Sequence, residues 1–281
     1  MSISTSSPSP ASSLFRPEPC WPERRWDWHV ELPVDEGEAR GRLRSLKQLG
    51  TTTVVAFPDL GDDLDASHAA LLRLAREPAD AERPALRAFA RVRGQGAPEG
   101  PLSPRLVAGK LKALRGTSGP PGASTRPDLS AFAGVKLTPH LDGLPAADTL
   151  SEIRDRRLPV MVHGGMALPP QWIRARLLPV TAGPVIISHL GSYPCADGLL
   201  KEAVAIAQAE PRVYLETAGT CIGNFLTYAA AKVPRKLLFG SASPHYDAAA
   251  QWLHVCAAVT DDDTLEALAW RNAAELLADD A

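Results

Sequence analysis

The feature that most constrains this chain is a repeated alternation of short apolar strands with helix-patterned stretches, clearest between Leu158 and Gly191. Pro159-Val160-Met161-Val162-His163-Gly164-Gly165 and Pro184-Val185-Ile186-Ile187-Ser188-His189-Leu190-Gly191 are two apolar runs, each ending in a histidine with glycine close behind. Between them, Gln171-Trp172-Ile173-Arg174-Ala175-Arg176-Leu177-Leu178 has apolar residues at helical spacing. In a parallel sheet or barrel the equivalent ends of such strands lie side by side. Two imidazoles distant in sequence then converge on one pocket.

The same alternation extends through the chain. Strands are expected at 25–32, 51–57, 86–92, 132–140, 159–163, 184–189, 212–217 and 236–241, with helices at 36–49, 64–76, 105–114, 146–157, 171–178, 196–209, 222–231, 248–259 and 264–278. Eight strands alternating with helices are the period of a (β/α)8 TIM barrel, an α/β fold. An open doubly wound sheet is disfavoured, because no Gly-x-Gly-x-x-Gly turn follows an early strand. On the first strand, simple alternation puts Trp26, Trp28 and Val30 on one face and Asp27, His29 and Glu31 on the other.

Residues 1–20 are rich in Ser and Pro and read as a disordered tail, leaving 21–281 as a single barrel domain; the Gly/Pro-rich stretch at 116–127 reads as an internal loop. A net charge of -2 gives no electrostatic case for nucleic acid, and the Arg24-Arg25 pair is too small to change that. No apolar run is long enough to span a bilayer, and the first residues lack a secretory pattern. Cys20, Cys195, Cys221 and Cys256 are scattered without metal-ligand spacing or a compact disulfide framework, so reduced thiols in a cytoplasmic protein are expected. The partner expected is a small molecule, and the sequence is compatible with a homo-oligomer.

Six stretches, in order, resemble the amidohydrolase-related branch of the amidohydrolase superfamily, which comprises metal-dependent TIM-barrel hydrolases and decarboxylases. They are Gly134-Val135-Lys136-Leu137, the strand ending at His163-Gly164-Gly165, the strand ending at His189-Leu190-Gly191, Val213-Tyr214-Leu215-Glu216-Thr217, Phe239-Gly240-Ser241 and Asn272-Ala273-Ala274-Glu275-Leu276-Leu277. The resemblance covers about 26–277 and implies a metal held by the first, fifth and eighth strands, often also the sixth. Asp27-Trp28-His29-Val30-Glu31 then stands for an Asp-x-His-x-His motif with Glu31 in the last position, and Ala242 stands where the eighth strand usually carries aspartate. Alanine can neither bind a metal nor take a proton from its water, whereas two histidines and a glutamate form an established zinc set.

The resemblance thus implies a divalent ion, zinc by preference, on His29, Glu31 and His163. Chemistry is expected at His189, Lys136 and Glu216, and substrate contacts at Arg91, His140, Ser241 and His245, with solvated mouth residues the alternative for Arg91 and His140. Lys136 also suits a plain ion pair with Glu216, and Ser243-Pro244-His245 suits a cap on the helix that follows. The reaction expected is hydrolysis of an amide, ester or lactone, or decarboxylation. The alternatives are metal-free acid-base chemistry, as in an isomerase, lyase or cyclase, and a non-catalytic protein on the same barrel.

Overall fold

The computed structural model describes residues 22–59, 63–94 and 127–277. The tail over 1–20, the helix expected at 105–114 and nearly all of the loop at 116–127 lie outside them. Eight strands run β1 (Trp26–Leu32), β2 (Thr53–Pro58), β3 (Ala85–Val92), β4 (Gly134–Leu137), β5 (Val160–Val162), β6 (Val185–Ile187), β7 (Val213–Glu216) and β8 (Leu237–Leu238). They pair in sequence order, each parallel to the next. The ring is completed where Trp28 N–H donates to Phe239 O and Glu31 N–H to Ser243 O, each at 2.9 Å. This is the TIM barrel expected from the strand-helix period.

The longer helices are α1 (Glu36–Gln48), α2 (Leu64–Arg76), α3 (Ala147–Asp155), α4 (Asp197–Ala209), α5 (Gly223–Lys232) and α6 (Ala248–Ala258). Aspartates open three of them: Asp35 accepts from Glu38 N–H, Asp63 from Asp65 and Ala66 N–H, and Asp247 from Ala250 N–H. Asp247, and not Ser243-Pro244-His245, therefore caps α6. The helix expected at 171–178 is one short turn, Pro170–Trp172, continued by a wide π turn over Ile173–Leu177 and a tight one over Leu178–Val180. The last helix likewise widens over Ala267–Arg271, between Asp262–Glu266 and Asn272–Leu276. None of the helices among the described residues is long and apolar enough to cross a membrane.

Two apolar cores follow from the two faces of the strands. Trp28, Val55, Phe57, Phe89, Met161, Ile186 and Leu238 fill the barrel interior, while Val54, Ala56, Val135, Val160, Val162, Val185, Ile187, Val213 and Leu215 pack outward against the helices. Gly134 belongs to the inner packing: a Cβ there would lie 2.4 Å from Phe89 Cζ, so its absence lets that ring cross the barrel. Each large side chain buried this way contributes about 1.5–3 kcal/mol.

Strand β1 departs from simple alternation. Its register against β2 slips between Asp27 and Val30, which inserts a bulge at Trp28-His29. Trp26 and Trp28 stay with the inner core, but Val30 joins the outer one. Val30 thus does not share a face with the tryptophans, and His29 turns into the barrel directly after Trp28. The bulge is tied down by Asp27, whose Oδ1 accepts His29 N–H at 3.1 Å and Ser241 N–H at 2.9 Å. Arg25 is buried as well, donating to Thr51 Oγ1 at 3.2 Å.

Candidate active site at the barrel mouth

Side chains two apart on a strand share a face, so the inward residues after the apolar layer can be read off each strand. Arg91 follows Phe89, Lys136 follows Gly134, His163 follows Met161, Ser188 follows Ile186 and Glu216 follows Tyr214. The bulge adds His29. These are the C-terminal ends of the strands, where barrels of this kind carry their sites. A polar ring thus sits on an apolar plug.

The rings of His29 and His189 lie 5.2 Å apart, those of His189 and His163 4.9 Å, and those of His163 and His140 4.4 Å. A hydrogen bond to a carbonyl fixes one of their tautomers outright. His189 Nδ1 is 2.7 Å from Ala218 O, and a carbonyl only accepts, so Nδ1 carries the proton. His29 Nδ1 faces Glu216 Oε2 at 3.0 Å, and Glu216 Oε1 also accepts Ala218 N–H. Burial holds the His29 and His163 imidazoles well below their usual pKa and takes His189 down to about 3, with neighbouring cationic groups adding to the effect. All three are neutral at physiological pH. His189 therefore keeps its Nε2 lone pair free of the proton, as does His29 when Glu216 is ionised.

Gly240 makes the His29 to Glu216 contact feasible: a Cβ there would fall 1.9 Å from Glu216 Oε1 and 2.9 Å from His29 Cβ. His189 itself sits at φ 59, with Leu190 at φ 49, a left-handed pair of non-glycine residues. Such strain costs about 1–3 kcal/mol per residue and concentrates at functional sites.

Lys136 is buried with its Nζ 3.2 Å from Ser188 Oγ and 4.8 Å from the centre of the Phe57 ring. Glu216 thus has the neutral His29 ring as its hydrogen-bond partner, and Lys136 interacts with that carboxylate only through space. Burial pushes the ammonium from 10.5 down to about 8, opposed by the charges of Glu216 and Glu31. Arg91, also buried, donates from its guanidinium to Thr138 Oγ1 at 3.2 Å, while its backbone N–H donates to His68 Nε2 at 3.0 Å. Ser241 is fully buried beneath the mouth, its Oγ accepting Ser243 N–H at 3.0 Å.

His29, Glu31 and His163 do not converge as a ligand set. Among the described residues, the trio whose ligand atoms all lie within 4.8 Å of one another is Glu31, Asp59 and His245. Two carboxylates and an imidazole suit zinc or a harder ion such as manganese. Glu31 Oε2 is sealed from solvent and lies 3.3 Å from His245 Nε2. Burial would raise the Glu31 carboxyl, but the His245 contact and the nearby charge of Arg91 hold it at about 2. It is thus an anion ready to ligate, and the residues present fit a divalent ion at this rim position. Asp59 escaped the sequence reading, although an acid directly after the second strand in Phe57-Pro58-Asp59 was a usable signal. Tyr193, whose ring lies 5.4 Å from His163 and 5.1 Å from His189, was also missed.

The family model described as amidohydrolase matches residues 26–278. The chain belongs to the amidohydrolase family. No curated protein sequence matches it. Among solved structures, this amidohydrolase-family barrel is similar to 2,6-dihydroxybenzoate decarboxylase from Rhizobium, at 12% identity and a TM-score of 0.56 over 92% of this chain and 99% of that one. It is similar to amidohydrolase 2 from Bifidobacterium longum subsp. infantis, at 17% identity and a TM-score of 0.54 over 91% and 98%. A dihydroxybenzoic acid decarboxylase from Polaromonas sp. JS666, solved with bound manganese and the inhibitor 2-nitroresorcinol, aligns at 13% identity and a TM-score of 0.51 over 90% and 96%. At these identities the likeness is one of fold.

Proposed function

We propose that this amidohydrolase-family protein removes CO2 from a small organic acid at the barrel mouth. The observation that carries this reading is Lys136, an ammonium buried in the polar ring and pushed to about 8. It is charged at neutral pH, yet surrenders its proton more readily than a solvated lysine. Loss of CO2 leaves an electron pair on carbon that must take up a proton, and Nζ is a donor suited to that task. Arg91 and Lys136 attract the substrate carboxylate, while the lone pair on His189 Nε2 accepts from a substrate hydroxyl. A divalent ion on Glu31, Asp59 and His245, when bound, would supply Lewis-acid charge to a substrate oxygen. Ala242 removes the carboxylate that would serve an attacking water, and decarboxylation needs no such water. The decarboxylases among the similar structures support this choice at the level of the fold.

A second reading, hydrolysis of an ester or lactone, is favoured by one contact, the carboxylate of Glu216 orienting His29 as a base. The two part in a paired screen of the full chain with added manganese or zinc, one arm of aromatic and unsaturated acids and one of esters, lactones and amides. The expected result is CO2 release from an acid, reduced about 100-fold or more in Lys136→Met. Acid release from the second arm, with no CO2 from the first, overturns the proposal.

A further inference from the structure

Two of the four cysteines, far apart in sequence, meet at the mouth. Cys195 follows the β6 turn and Cys221 follows β7, and their Sγ atoms are 3.1 Å apart. Both are free thiols, Cys221 exposed and Cys195 half-buried, while Cys256 is shut in the outer core. Parallel pairing of β6 with β7 brings the two loops together. Cys195 is held at φ 93, a conformation that side-chain-bearing residues rarely adopt. The Ser192 carbonyl pins it there by accepting its N–H at 2.6 Å. A strained backbone that aims one thiol at another is the kind of outlier that marks a functional position.

We propose that Cys195 and Cys221 are a redox modification site, forming a reversible disulfide that locks the two loops around His189. The bond length of a disulfide is about 2.05 Å, so each sulfur needs to move only about half an ångström. Peroxide is the oxidant class. The exposed Cys221 sulfur attacks one peroxide oxygen, breaking the O–O bond; the thiol proton and the departing hydroxide leave as water, and Cys221 becomes a sulfenic acid. The Cys195 sulfur then attacks that sulfur and expels hydroxide, which takes the Cys195 proton as a second water. Two thiols are oxidised by two electrons and one peroxide is reduced. A dithiol reductant reverses the bond by exchange.

The consequence follows from what the loops hold. Tyr193, two residues before Cys195, lies over His163 and His189 and is hydrogen-bonded to Tyr246. Gly219, two residues before Cys221, is packed so closely that a Cβ there would lie 3.1 Å from the Tyr246 ring and 3.3 Å from His189 Nδ1. Ala218 O holds His189 in its tautomer. The cross-link therefore joins both segments that seat this imidazole and fixes the tyrosines above it.

The test treats the full chain with hydrogen peroxide, then with dithiothreitol. Expected are loss of two thiols, a mass decrease of about 2 Da, a non-reduced peptide joining Cys195 to Cys221, and recovery on reduction. Amide exchange over residues 192–196 and 217–223 should slow about tenfold or more in the oxidised chain. Cys195→Ser and Cys221→Ser should abolish the cross-link, and Cys256→Ser should retain it. A sulfinic acid on Cys221 with Cys195 still free overturns the proposal, as does a cross-link to Cys20. A correct disulfide that leaves loop exchange unchanged overturns the locking; these wild-type readouts hold even if a variant misfolds.

Discussion

At the scale of the residue, Gly240 and Lys136 show how absence and burial shape this mouth. Gly240 leaves the space that the Glu216 carboxylate occupies against His29. Gly240→Ala should therefore destabilise the fold by about 1–3 kcal/mol in urea titrations and displace Glu216 from His29, with turnover lost. The prediction fails if stability is unchanged. For Lys136, the folded pKa of about 8 lies below its ordinary 10.5. Between those values the unfolded chain holds a proton that the folded chain has released, so stability should rise with pH from about 8 to about 10.5; below that window the buried ammonium is a constant cost. Lys136→Met should flatten this rise, measured as Tm against pH. Turnover should run the other way and fall as pH climbs through about 8, because the donor proton is lost.

At the scale of the element, the decisive feature is the β1 bulge. Period-two alternation placed Val30 with the tryptophans, and it failed because a bulge adds a residue through the backbone without a distinctive side-chain pattern. Asp27 carries the device: two backbone N–H groups, from His29 and Ser241, end on its Oδ1. Asp27→Ala should strand both donors and cost about 2–3 kcal/mol, while Asp27→Asn retains an acceptor and should cost less. Equal losses in urea denaturation would show that charge, and not the acceptor, matters. The wide turns at Ile173–Leu177 and Ala267–Arg271 were equally hidden, since the apolar spacing there still reads as helix. Helix starts were more legible where aspartate stands, although at α6 the cap is Asp247, two residues beyond His245.

At the scale of the whole molecule, the barrel was legible because burying both faces of each strand forces a repeating strand-helix pattern on the sequence. The same logic located His163, His189, Lys136 and Glu216, which sit at or just beyond strand ends. Tyr193, Tyr246 and the Cys195–Cys221 pair were not legible, because they lie on loops that meet only when the ring closes and no local period reports such meetings. The ligand set shifted for the same reason: Glu31 lies beside Asp59 and His245 at the rim, while His163 lies with His140 and His189. What joins these scales is a set of three uncharged imidazoles, His29, His163 and His189, against one buried ammonium, the arrangement the proposed decarboxylation needs. Nitrogen-15 NMR of the histidine rings at pH 6 tests it most directly. His29 and His189 should both be neutral with the proton on Nδ1, and should stay so as the pH is lowered to about 5; imidazolium signals titrating near 6.5, or the proton on Nε2 of His189, would contradict it.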